Sequence, residues 1–229
     1  MTNVRITVVY DNERVRDDLH TGWGFSAVVG GDVLFDTGGD TPELLDNLAT
    51  LGIELDELDT VVLSHGHADH TGGLGGVLDQ NPDVTVVVPT ERLAGSVRET
   101  GPPGVEVTVA ADPTQVGTGV VTTGSVGDSI REQGIVCRFR RGAVLVTGCA
   151  HPGLDALLDA ARDAEAVTGV IGGFHDFARL RELEGLDLVS PCHCTRRKRE
   201  IASRFPEAFV RCGAGLVVDE ELLGRAPRC

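Results

Sequence analysis

Short runs of β-branched and aliphatic residues recur along the chain at VRITVVY (4–10), FSAVV (25–29), DVLFD (32–36), TVVLS (60–64), VTVVV (84–88) and VEVTV (105–109). They continue at IVCRF (135–139), AVLVT (143–147), VTGVI (167–171), LDLVS (186–190) and LVV (216–218). Their brevity and residue types predict strands, and Gly30-Gly31 and Arg141-Gly142 predict hairpin turns between neighbouring runs. Thr41 reads as a helix cap with Pro42 in the first helical position, followed by a stripe of Leu44, Leu45, Leu48 and Leu51 that Gly52 ends. Leu154, Leu157, Leu158 and Ala161 repeat the i, i+3, i+4, i+7 spacing of a helix with one buried face. Weaker helical patterns cover 73–80, 90–100, 176–184 and 196–204. Strands that alternate with helices after a β-rich start predict an α/β fold with a mixed sheet or more than one sheet. No linker interrupts 1–229, so one domain is expected.

Composition narrows the chemistry. Aromatic residues make up only 4% of the 229, so the core must come from Val, Leu, Ile and Ala. A formal charge of −15 argues against nonspecific binding to nucleic acid or an anionic membrane, since both would be repelled. Only Lys198 among the 20 basic residues is lysine; with 35 acids, this balance resembles proteins adapted to high salt. No leader opens the chain and no apolar run approaches the roughly 18–20 residues that span a bilayer, so a cytoplasmic protein is expected. The six cysteines form no C-x-x-C pair and read as buried thiols.

Four of the predicted strands hand over to histidine: TVVLS to His65, AVLVTGCA to His151, VTGVIGGF to His175 and LDLVSPC to His193. Open α/β sheets gather their ligands at the carboxyl ends of strands. An isolated histidine there is ordinarily a hydrogen-bonded residue, but SHGHADH (64–70) concentrates three. Close imidazoles repel if protonated and gain little from one another if neutral. A cation removes the conflict by binding neutral imidazole and carboxylate. Alternate positions share a face, so His65 and His67 can grip one ion, and Asp69 and His70 can reach a second after the chain turns. Cys192 and Cys194 flank His193 and are expected to pack away from it. Cys149, two before His151, leaves a thiolate contact open as a minority reading. The glycines of TGGLGG (71–76) are expected to permit a close backbone approach and open a helix.

SHGHADHTGG, with LFDTG upstream and TGCAH and His193 downstream, resembles the H-x-H-x-D-H signature of the metallo-β-lactamase superfamily over roughly Val4 to Val218. YDN (10–12), GFS (24–26), TGCAHPG (147–153), GGFH (172–175) and PCHCT (191–195) resemble a subgroup labelled dihydropterin or methanopterin-pathway (ribofuranosyl)aminobenzene phosphate synthases. The resemblance implies a four-layer αββα sandwich with two divalent ions at one edge, zinc foremost and manganese or iron as alternatives. It implies one ion on His65, His67 and His151 and the other on Asp69, His70 and His193, with Asp36 accepting a hydrogen bond from a ligand histidine. Relatives carry a bridging aspartate where this chain reads GGFHDF. His175 is favoured there over Asp176, although imidazole has one lone pair and serves one metal.

The expected activity is metal-dependent hydrolysis, metal-bound hydroxide attacking an ester, lactone, thioester or phosphoester with Asp69 orienting it. The rivals are a pterin-linked synthase, iron-dependent oxidation and a structural zinc protein. The expected partner is a small molecule. The run Arg196, Arg197, Lys198 and Arg199 admits a phosphorylated one, although a solvated helix face is the commoner account of such a run.

Overall fold

The inner faces of two β-sheets meet over Ile6, Val8, Phe25, Phe35, Val62, Val144, Val146 and Ile171, each fully buried. The computed structural model describes residues 4–225. In its first half β1 (Ile6–Tyr10), β2 (Ser26–Val29) and β3 (Val33–Phe35) run antiparallel in sequence. After α1 (Thr41–Thr50), β4 (Thr60–Val62) lies parallel to β3. The single turn α2 (Ala68–Thr71), then α3 (Leu74–Gln80), β5 (Thr85–Val88), α4 (Glu91–Thr100) and β6 (Val107–Val109) extend this sheet in parallel.

The second half builds the other sheet from β7 (Gln115–Gly117), β8 (Val120–Thr122), β9 (Ile135–Phe139) and β10 (Gly142–Thr147). α5 (Leu154–Ala164) crosses to β11 (Val167–Gly173), which pairs in parallel with β10 and with β12 (Leu188–Cys192). α6 (Lys198–Arg204), β13 (Val217–Val218) and α7 (Glu220–Arg225) close the chain, β13 returning to the first sheet beside β1. The sheet orders are β13-β1-β2-β3-β4-β5-β6 and β12-β11-β10-β9-β8-β7.

Each sheet carries helices on its outer face. Leu44, Leu48, Leu74, Val77, Leu78, Ala94 and Val97 of α1, α3 and α4 cover the first, and Leu154, Leu157, Leu158, Ala161 and Ile201 of α5 and α6 cover the second. The expected αββα sandwich results. Strands buried on both faces explain the continuous apolar runs, and each fully buried leucine contributes about 1.5–3 kcal/mol. Among the described residues no helix is long and apolar enough to cross a membrane.

Several local expectations need correction. Asp40, not Thr41, is the cap of α1, its backbone extended and its side chain making no capping bond, with Thr41 and Pro42 inside the first turn. The second hairpin turns at Arg140-Arg141, and Gly142 already pairs with Phe139. In place of a helix over 176–184 there is one 3-10 turn, Leu180–Leu183. Buried Phe177, Leu180, Leu183 and Leu186 are three residues apart, the spacing that aligns side chains in a 3-10 turn. The β7–β8 hairpin and α7 carry too little apolar periodicity to be predicted. Cys137, Cys149, Cys192 and Cys212 are buried thiols as expected, Cys194 is half-buried, and Cys229 lies outside the described residues.

Because β3 to β6 and β10 to β12 run parallel within their sheets, the loops after β3, β4, β10, β11 and β12 gather at one edge of the sandwich. β1, antiparallel to β2 as β2 is to β3, ends at the same edge.

Candidate metal centre

Four non-glycine residues of the described chain have left-handed backbones: Asp36 (φ 54°), Ala150 (φ 58°), His175 (φ 45°) and His193 (φ 44°). All four lie just past the carboxyl ends of β3, β10, β11 or β12. Such conformations cost on the order of 1–3 kcal/mol each and persist where surrounding structure over-determines them, often at functional sites. At Asp36 and His193 they turn the side chain into the buried interior, whereas His175 stays partly exposed. After β4 the chain bends through 64–66 to His67, whose extended backbone caps α2, and that single turn carries Asp69 and His70. Gly72 and Gly73 let this loop lie against the β3–α1 loop: a Cβ at Gly72 would stand 2.5 Å from Gly39 O, and one at Gly73 2.3 Å from Thr37 O.

The imidazoles converge. His67 Nδ1 lies 3.0 Å from His65 Nε2 and 3.2 Å from His151 Nε2. A single His67 proton can satisfy only one of those neighbours. His193 Nε2 lies 3.2 Å from Asp69 Oδ2, and His70 Nε2 lies 3.9 Å from the same oxygen.

Hydrogen bonds at the far side of His65, His70 and His193 set their tautomers. The fully buried Asp36 accepts from Ser64 N–H at 2.6 Å, from Ser64 Oγ–H at 2.7 Å and from His70 Nδ1–H at 2.7 Å. With its proton committed to Asp36, Ser64 Oγ accepts from His65 Nδ1–H at 2.9 Å. Asn12 donates its amide to His193 O, which turns Asn12 Oδ1 toward His193 Nδ1 at 3.0 Å. Asp11 accepts from His193 N–H at 2.9 Å. His65, His70 and His193 are thereby left with Nε2 lone pairs facing the centre, the arrangement expected of metal-ligating histidines.

Electrostatics agree for His65, His151 and His193. Burial, then the neighbouring rings, hold His65 far below its usual range, and burial together with His67 pushes His151 down to about 4. Both are neutral near pH 7. Contact with His193 holds Asp69 well below the usual carboxylate range. Burial alone would lower His70, but Asp36 reverses the sign and raises it. Burial lowers His193, and its Nε2, although close to Asp69, is buried with no hydrogen bond of acceptable geometry. An orphaned buried nitrogen is costly. It fits a position that binds a cation.

Two sets of ligand atoms lie within 4.8 Å of one another: Asp69, His70, Cys149 and His193 in one, His65, Cys149 and His151 in the other. Imidazole, carboxylate and thiolate suit zinc and similar divalent ions. The loop bearing Cys149 and His151 hangs on one carboxylate: buried Glu132 accepts from the N–H groups of Cys149, Ala150 and His151 at 2.8, 2.8 and 2.9 Å. Gly148 brings it against β4, since a Cβ there would stand 2.2 Å from Ser64 Oγ.

His175 and Asp176 stand outside both sets. The His175 side chain is 39% exposed, its ring centroid 5.0 Å from that of His151, and its Nδ1 is 3.4 Å from Asp176. Asp176 pairs with Arg196 at 2.9 Å. His193, Thr195, Arg196, Arg197, Lys198, Arg199 and Glu200 line an open depression of about 580 Å³. Trp23, the only tryptophan, is 63% exposed and leans on His193 with centroids 4.9 Å apart.

Thus the structure brings His65, Asp69, His70, His151 and His193 into the two sets, places His67 against His65 and His151 but in neither set, and bonds Asp36 to His70. Sequence reasoning assigned no role to Asn12, Ser64, Trp23 or Glu132. Ser64 opens the histidine motif and Asn12 follows a strand run, so their position could have flagged them. Glu132 gives no such signal.

The metallo-beta-lactamase superfamily profile matches residues 25–183. A curated relative, the 7,8-dihydropterin-6-methyl-4-(beta-D-ribofuranosyl)-aminobenzene-5'-phosphate synthase of Methanocaldococcus jannaschii, is 26% identical over 81% of this chain and 83% of its own. A solved metal-dependent hydrolase of the beta-lactamase superfamily superposes with a TM-score of 0.74 at 28% identity, covering 94% of this chain and 98% of the other. The metallo-beta-lactamase fold protein YhfI of Bacillus subtilis superposes with a TM-score of 0.70 at 14% identity over 96% and 100%, a likeness of fold.

Proposed function

This chain belongs to the metallo-β-lactamase superfamily, and from that premise we propose that it is a metal-dependent hydrolase acting on an ester, lactone, thioester or phosphoester. The observation that carries the reading is the set of imidazole lone pairs turned on one centre with their far sides bonded. His65, His67 and His151 would hold one divalent ion and Asp69, His70 and His193 another, zinc or else manganese or iron. When bound, such ions polarise a carbonyl or phosphoryl oxygen and lower the pKa of water to about 7.

The chain's own residues supply the rest. Asp69 keeps its carboxylate ionised beside His193, so it can accept a hydrogen bond from an attacking water and orient it. Asp36 and Asn12 hold the ring protons of His70 and His193 at Nδ1. Arg196 and Arg199 on the rim of the depression suit a phosphorylated small molecule, and the exposed face of Trp23 suits one with a planar ring.

The identity to the dihydropterin synthase over four fifths of the chain supports a second reading, condensation of a pterin alcohol with an aminobenzene acceptor at the same centre. Metal analysis of purified protein, with turnover assays on both substrate classes before and after chelation, tests the two. Two ions per chain and a chelator-sensitive hydrolysis are expected. Chelator-sensitive condensation without hydrolysis would favour the synthase, and protein that takes up no zinc, manganese or iron defeats both.

A further inference from the structure

We propose that Cys149 is a ligand common to both ions, a thiolate bridge in the role that the sequence resemblance leaves to His175 or Asp176. The inference rests on the metal-dependent reading above. Cys149 alone belongs to both sets of converging ligand atoms, and its Sγ lies 3.2 Å from His70 Nε2. The orphaned His193 Nε2 belongs to one of those sets, an independent sign of a cation-binding position within 4.8 Å of the sulfur.

The sulfur is held there. Cys149 is 3% exposed, its N–H is fixed on Glu132, the left-handed Ala150 turns the chain directly after it, and a Cβ on Gly173 would stand 3.2 Å from its Cα. Neither alternative reaches both sets: Asp176 is 57% exposed and paired with Arg196, and imidazole has a single lone pair per metal. Asp69 belongs to one set only. A thiolate sulfur has lone pairs for two ions. On metal uptake the S–H bond breaks, its proton passes to water, its electron pair remains on sulfur, and two sulfur–metal bonds form without oxidation or reduction.

Zinc-edge X-ray absorption on protein loaded with two zinc ions tests the bridge, in the wild type and in Cys194→Ser. One sulfur per zinc in both proteins is expected. Half a sulfur per zinc, as a terminal ligand would give, or none, overturns the bridge while leaving the metal-dependent reading intact. Loss of the signal in Cys194→Ser overturns the assignment to Cys149. Cys149→Ser is expected to bind one zinc tightly where the wild type binds two; two tightly held ions would count against the bridge. Should that variant fail to fold, the first two measurements still decide. A wild-type protein that takes up no zinc overturns this inference together with the proposed activity.

Discussion

His65, His67 and His151 meet with no carboxylate among them, and His67 is exposed while His151 is half-buried. Asp69, His70 and His193 form a deeper set that includes an anion, and both rings are fixed from behind, His70 by Asp36 and His193 by Asn12. The difference separates two demands on such a centre. An ion on the first set would face solvent and meet no carboxylate, only its share of the Cys149 thiolate, which suits polarising a substrate. An ion on the anionic set is partly neutralised and held by donors oriented in advance, which suits retention. Asp36 joins the two, touching His70 directly and His65 through Ser64.

That junction predicts the largest effect. Asp36→Ala removes the acceptor behind a histidine of each set, so affinity should fall roughly 10–100-fold for both ions, measured by chelator competition. Loss from one set alone would show that Ser64 does not transmit the brace.

Glu132→Gln should act on the loop that carries Cys149 and His151. One carboxylate oxygen becomes an amide donor facing backbone N–H groups, costing about 1.5–3 kcal/mol. The expected result is a lower melting temperature together with weaker binding at His65, His67 and His151. Weakened binding confined to the anionic set would contradict the assignment of Glu132 to the His151 loop.

Asn12→Ala should have the smallest effect, about 10-fold in affinity at the anionic set alone. Its removal frees His193 Nδ1 but leaves Asp11 on the His193 backbone N–H. Equal weakening of both ions would mean that the two sets do not respond independently.

Much of this was legible in sequence. The strands from VRITVVY to LDLVS could be read because burial on both faces demands unbroken apolar runs, and α1 and α5 because one buried face imposes a helical period. The β7–β8 hairpin could not, since its three-residue strands lie among glycines and half-exposed positions. The histidine loop was readable because its donors are neighbours in the chain. His151 and His193 were tied to it by their places at strand ends, and only resemblance assigned each to an ion.

Residue types and short-range spacing therefore determined which chemistry the chain can support: imidazole and carboxylate in one loop, and further histidines at strand ends. Tertiary structure decided which of those groups meet. It set Cys149 between the two sets, left His175 at the rim, and brought Glu132 under a loop 17 to 19 residues away in sequence. The physical reason is that lone pairs are aimed by rotations at strand ends, by left-handed backbones and by hydrogen bonds between distant segments, none of which leaves a period in the sequence.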